Sequence, residues 1–271
     1  MSLLRRSLDE LTIDDEPAVA RLPVYAFLKE VVRGSNVHFL VPEPGAMPPV
    51  SWDRALFLNL TFWDGRDGAD VLCEQRLPAD VVAHVAWHQV AGREIGRMSA
   101  GAGVSVVANA PLGAAALFFA ESIASAFDLY LVGRLVPTAP DSDFITSQIP
   151  IMAEAAEAAG LSAEGFAALI EDVVAQPERA FEEMRALLLD VVTALLPCRG
   201  ATEALSVLDG FAGRRFEPLL HHFQLSNWIL YARAYAGSSP VSDGVVRQLD
   251  DSLRQSTDAL GWLVEHWLAK R

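Results

Sequence analysis

The sequence predicts an α+β protein that is mainly helical, with a small N-terminal sheet followed by a multi-helix body. Two observations carry this. Runs rich in β-branched and aromatic residues stop at Asp64, and helical periodicity takes over after Pro78. Hydrophobic residues make up 52% of the 271, and mean hydropathy is +0.25, so a large core can be buried.

The elements follow in order. Residues 2–20 are polar and acidic, with Asp9, Glu10, Asp14, Asp15 and Glu16, and read as a loose arm or a short first helix. A helix starts near Leu22-Pro23 and runs to about Arg33, with Gly34 as its stop. Two strands are expected next, Asn36 to Val41 and Arg54 to Trp63, closed by Pro42 and by Asp64-Gly65. A helix from about Pro78 to Arg97 follows, with Pro78 in its first turn and Asp80 at the positive end of its dipole. The loop Ser99 to Pro111 holds a short extended piece, Val104 to Ala108. Another helix runs from about Leu112 to Val136.

The second half is rich in alanine and leucine and reads as helix throughout. Ser162 suits an N-cap and Pro177 a first helical turn. Phe181, Met184, Leu188, Val191 and Leu195 recur at helical spacing before Pro197. Leu249, Leu253, Leu260, Val264 and Trp267 give the last helix one apolar face, and Gly237-Ser-Ser-Pro240 is the clearest linker. A boundary at Thr138 to Asp143 would divide an α+β region, 1–137, from a helical region, 138–271. A single continuous domain would read the same way.

Charge and composition narrow the function. The net charge is −14, from 35 acidic and 21 basic residues, and no local basic patch offsets it, so nucleic acid is not an expected partner. Met98 to Ala120 carries no charged side chain and is long enough to span a bilayer. Gly101, Gly103, Asn109, Pro111 and Gly113 interrupt it, and Glu121 and Asp128 follow, so burial in protein is the expectation. The N-terminus has no long apolar run after Arg5-Arg6, unlike a secretory signal, and Cys73 and Cys198 sit in no paired motif; a cytoplasmic location is expected. A protein partner or a homo-oligomer stays open.

One constellation suggests chemistry. His84 and His88 are four apart, hence one turn apart on one helix face. Two imidazoles so placed can grip one metal ion, zinc being the natural candidate, and a carboxylate from a second helix can complete the set. Glu121, among Leu117, Phe118, Ala120 and Ile123, is that carboxylate. Asp128 lies two turns further along the same face, placed to hydrogen-bond and orient a ligand histidine. The competing reading makes His84 and His88 ordinary partly buried histidines, with Glu121 and Asp128 paired to Arg93, Arg97 or Arg134. His221-His222 is a weaker cluster, because adjacent helical residues point about 100° apart.

The arrangement resembles the gluzincin-type zinc metallopeptidases, in which a His-Glu-x-x-His helix follows a small sheet and a glutamate from a later helix is the third ligand. The matching positions are His84, His88 and Glu121, and the resemblance covers roughly residues 54–135. The departure is Val85, which stands where the family carries its general base and cannot take a proton from an attacking water. Glu94 lies off the ligand turn and is a poor replacement. The resemblance therefore implies a degenerate member that keeps the ligands and has weak or no peptidase activity.

Two other functions compete. One is a non-enzymatic helical protein–protein interaction module. The other is a carboxylate-bridged di-iron oxidase, which ranks last because it needs Glu-x-x-His, and the positions three before His84 and His88 are Val81 and Val85.

Overall fold

The computed structural model describes residues 3–35, 37–42, 55–58, 61–64, 69–72, 75–101, 113–237 and 240–269. It is an α+β protein, mainly helical, and among the described residues the strands lie in the N-terminal part.

The strands are β1 (Leu3–Ser7), β2 (Thr12–Asp14), β3 (His38–Pro42), β4 (Ala55–Leu58), β5 (Thr61–Asp64), β6 (Ala69–Val71) and β7 (Arg76–Pro78). Five of them form one sheet in the order β1-β3-β6-β5-β4, in which only β3 and β6 run parallel. The expected strand at Asn36 to Val41 is β3, displaced by two residues at its start, and Asn36 itself lies outside the described residues. The expected strand at Arg54 to Trp63 is instead a hairpin, with Leu58 opposite Thr61.

Residues 2–20 are a correction. From Leu3 on they hold β1, the 3-10 turn Leu8–Glu10, β2 and a short helix, α1 (Pro17–Ala20); the short first helix is present, and the loose arm is replaced by two strands. β1 is specified by its partner rather than by its own pattern, because Leu3 to Ser7 pair residue by residue with Pro42 to His38. β2 pairs in parallel with β7, Thr12 opposite Arg76 and Asp14 opposite Pro78. That pairing keeps Pro78 extended, so the helix begins at Ala79 and Pro78 is not its first turn. Proline is tolerated there because a strand end needs no N–H from it.

The helices are α2 (Pro23–Arg33), α3 (Ala79–Gly101), α4 (Ala114–Leu135), α5 (Asp143–Ala158), α6 (Ala163–Ala175), α7 (Pro177–Leu195), α8 (Ala201–Asp209), α9 (Leu225–Tyr235), α10 (Pro240–Gln255) and α11 (Ala259–Leu263). α2 begins with Pro23 in its first turn and ends at Gly34, as its sequence predicts. Ser162 caps α6 by accepting from the Gly165 N–H at 3.1 Å, and Pro177 opens α7. The apolar face Phe181, Met184, Leu188, Val191, Leu195 is wholly buried. The last helix is a second correction. Leu249 and Leu253 lie on α10, whereas Leu260 lies on α11 and Trp267 on the π-helical turn Val264–Leu268 that follows it. The break comes where Asp258 turns back to accept from the Gly261 N–H at 2.8 Å. The extended piece expected at Val104 to Ala108 falls outside the described residues.

α4 is the central element. By length and composition it could cross a membrane, with a mean hydropathy of 1.5, yet 89% of its most apolar window is buried by the rest of the chain. It packs most extensively on α7 and next on α3. At Gly133 it crosses the α6–α7 corner so closely that a Cβ there would lie 2.8 Å from the Val173 carbonyl and 2.9 Å from the Pro177 side chain. α7 is tied to α10 by Arg185, a fully buried cation. Its guanidinium donates to both Glu182 oxygens at 2.6 Å and to Asp250 at 2.8 Å, and sits over the Phe119 ring. One hydrophobic core runs on both sides of the Thr138 to Asp143 connection.

Candidate metal centre

The centre is built where α3 and α4 face each other. β7 feeds directly into α3 and fixes its start, and α2 packs along it. Trp87, fully buried between the two histidines, meets the Phe127 ring edge-on at 5.7 Å and locks α3 to α4. Phe127 in turn stacks on Tyr130. These large apolar contacts place the polar groups, because the helix spacing then turns His84 and His88 toward Glu121 and Asp128.

The structure brings together all four predicted residues. His84 Nε2 lies 3.2 Å from His88 Nε2 and 3.7 Å from Glu121 Oε2, and His88 Nε2 lies 3.5 Å from the same oxygen. Tetrahedral bonds of 2.0–2.1 Å separate ligand atoms by about 3.3–3.4 Å. A point equidistant from three atoms at the observed separations stands about 2.0 Å from each, which is a metal–ligand bond length. The group can hold a metal ion.

Burial strengthens the case. His84 and Glu121 are each 2% exposed, and His88 reaches the surface with 25% of its side chain. Glu121 Oε2 is buried, and the two imidazole nitrogens that face it stand at 3.5 and 3.7 Å, too far or too poorly aligned for a normal hydrogen bond. Such an oxygen is costly unless a cation answers it. Burial pushes the Glu121 carboxyl up, but the adjacent His88 and His84 imidazoles outweigh it and hold it below its ordinary range. The group is therefore a carboxylate, the form a metal needs.

Asp128 stands on the other side of His84, 3.7 Å from Nδ1, while Nε2 faces the ligand triangle. A carboxylate in that place favours a proton on Nδ1 and leaves the Nε2 lone pair for a cation. Sequence reasoning missed Asp80 as part of this cluster. Burial, followed by the Asp128 charge, pushes its carboxyl up to about 6, against the pull of backbone N–H groups and of His84. The signal was there, because Asp80, His84 and His88 share one spacing of four on α3.

The arginine alternative fails. Arg93 and Arg97 both pair with Glu94, at 3.3 and 2.8 Å, and Arg134 faces Glu178 at 3.7 Å. Glu94 is thus engaged elsewhere, as its position off the ligand turn predicts. His221 and His222 lie in the 3-10 turn Glu217–Phe223 and do not join the group. His222 packs edge-on against Phe223, and burial pushes it down to about 4. Val85 is 4% exposed and apolar.

Compared with protein-family models, curated proteins and solved structures, the chain matches none.

Proposed function

We propose that this protein binds a single zinc ion through His84, His88 and Glu121, on a zincin-like helix pair that lacks the general base of peptide hydrolysis. The observation that carries the reading is the triangle of two imidazole nitrogens and one buried carboxylate oxygen, with sides of 3.2, 3.5 and 3.7 Å. Two nitrogens and one oxygen suit zinc, and three protein ligands leave a position open. A zinc ion so held supplies Lewis acidity.

The chain's own residues set the rest. His84 is oriented from behind by Asp128, and Trp87 fixes the helix that carries both histidines. Glu121 neutralises part of the ion's charge in a buried setting. Val85 offers no group to accept a proton, and neither Arg93, Arg97 nor their partner Glu94 belongs to the ligand triangle. Weak or absent peptidase activity follows.

The test is elemental analysis of tag-free protein after dialysis against zinc buffered by a competing chelator. Wild type should retain about one zinc per chain, and His84→Ala and Glu121→Ala should retain far less. Stoichiometric zinc in all three proteins, or none in wild type, refutes the reading. The second outcome moves the function to a helical interaction protein without a metal.

A further inference from the structure

A second site lies far along the chain from the histidine pair. A cleft of about 720 Å³ opens between the end of α7, helix α8, the 3-10 turn Glu217–Phe223 and α9. That volume falls in the range of small-molecule pockets. Its floor is apolar and buried: Leu195, Leu220, Leu225 and Ile229. Ala204 and Leu208 of α8 close one side, yet α8 buries none of its residues. An amphipathic helix that lies on an unfilled apolar cleft leaves surface for an occupant.

The charges at the cleft indicate which occupant. Eleven of the sixteen described arginines pair with a carboxylate; of the five that do not, Arg199 and Arg233 share this one cleft. Arg199 and Arg233, both lining this cleft, have no carboxylate within ion-pair distance among the described residues. Arg233 donates instead to the Leu196 and Cys198 carbonyls at the end of α7, through one of its nitrogens. The Arg199 side chain makes no hydrogen bond, since only its backbone N–H is engaged, by Glu203. Cys198, Glu217 and His221 are the other titratable groups that line the cleft, and Glu203 stands beside it on the Arg199 backbone, so the guanidinium groups are the cationic side of a mixed rim. Gln224 also stands there, at φ 52, and is the one described non-glycine residue with positive φ. Backbone strain of this kind collects at ligand clamps.

We propose that this cleft binds an apolar monoanion, an aliphatic carboxylate whose chain lies on Leu195, Leu220 and Ile229 and whose head meets Arg199 and Arg233. Chain burial supplies affinity, and the two guanidinium groups select the sign of the head. The site is independent of the metal centre, and it stands or falls separately from it.

The test is calorimetric titration of the full-length protein with decanoate, with chelator present, below the concentration at which decanoate self-associates. Decanoate should bind one to one. Arg199→Gln, at an exposed position, should weaken it about tenfold, the loss expected for a charge-assisted hydrogen bond. Decyltrimethylammonium, with a similar chain and the opposite charge, should bind at least about tenfold more weakly than decanoate. Leu208→Ser should weaken decanoate while leaving its preference over the cation intact. Absence of saturable one-to-one binding, equal binding of the two amphiphiles, or an unchanged affinity in Arg199→Gln overturns the proposal. So does sedimentation showing a dimer that decanoate leaves intact and that Leu230→Glu dissociates, since the cleft then belongs to a second copy of the chain.

Discussion

Glu121→Gln separates the two roles open to that carboxylate. In the metal-free protein Glu121 is a charge at 2% exposure whose Oε2 faces only the His88 and His84 imidazoles, at 3.5 and 3.7 Å. Glutamine keeps the shape and removes the charge. The substitution therefore relieves the cost of burying an ion and gives up the attraction of His88 and His84. Each of these is worth several kcal/mol and they oppose, so metal-free stability should change by no more than about 1 kcal/mol. Zinc reverses the comparison. At a free concentration about 1,000 times Kd, a ligand stabilises the native state by about 4 kcal/mol, which for a chain of this size raises Tm by about 8–16 °C. Loss of a partner outside the ligand shell already costs 10- to 100-fold in metal affinity, so loss of a ligand should cost at least about 100-fold. The zinc-induced rise then falls to about 3–6 °C. Thermal denaturation followed by circular dichroism, in chelator and in buffered zinc, reads both effects. An equal zinc-induced rise in wild type and Glu121→Gln refutes the assignment of Glu121 as a ligand. A loss above about 3 kcal/mol in chelator, with no zinc response in either protein, shows that Glu121 serves the histidines as a structural ion pair.

Three further outcomes follow. With zinc bound, wild type should cleave an unstructured protein no faster than about background, and Val85→Glu should restore part of the 100- to 10,000-fold that a general base supplies; robust, chelator-sensitive proteolysis by wild type would show that another residue takes the proton. Gly133→Ala should destabilise by about 1–3 kcal/mol in urea unfolding, because the new methyl group meets the Val173 carbonyl and Pro177; unchanged stability would mean that α4 and the α6–α7 corner are not in this close contact. His222, pushed down to about 4 by burial, is neutral in the folded state over a range where the unfolded chain, near 6.5, takes up a proton. It contributes stability above about 6.5 that is lost as pH falls toward 4, up to about 3 kcal/mol. His222→Phe should flatten the stability profile between those values, and an unaltered profile would contradict the burial of His222.

The site was legible in the sequence because it depends on local spacing. Two histidines four apart define a helix face, and a glutamate inside the apolar run of α4 needs a reason to be there. Asp80 is harder to read, because an acidic residue in a first helical turn is already explained by the helix dipole. In the helical half, Ser162 and Pro177 act through single turns of chain, and their elements were readable. The sheet was less so. Leu3 to Ser7 has no alternation of its own and becomes a strand through pairing with β3. β6 and β7 are three residues each, too short to carry a pattern. The run from Arg54 to Trp63 reads as continuous because both of its paired strands are apolar. At the C-terminus, one apolar stripe across α10 and α11 hid the break that the Asp258 cap creates.

The central claim is that one ion lies between His84, His88 and Glu121. Diffraction from zinc-equilibrated crystals, recorded on both sides of the zinc absorption edge, tests it most directly. One anomalous peak is expected about 2.0–2.2 Å from both Nε2 atoms and from Glu121 Oε2, and it should disappear in His88→Ala. A zinc-equilibrated crystal with no peak inside that triangle, or with its peak elsewhere on the chain, would contradict it.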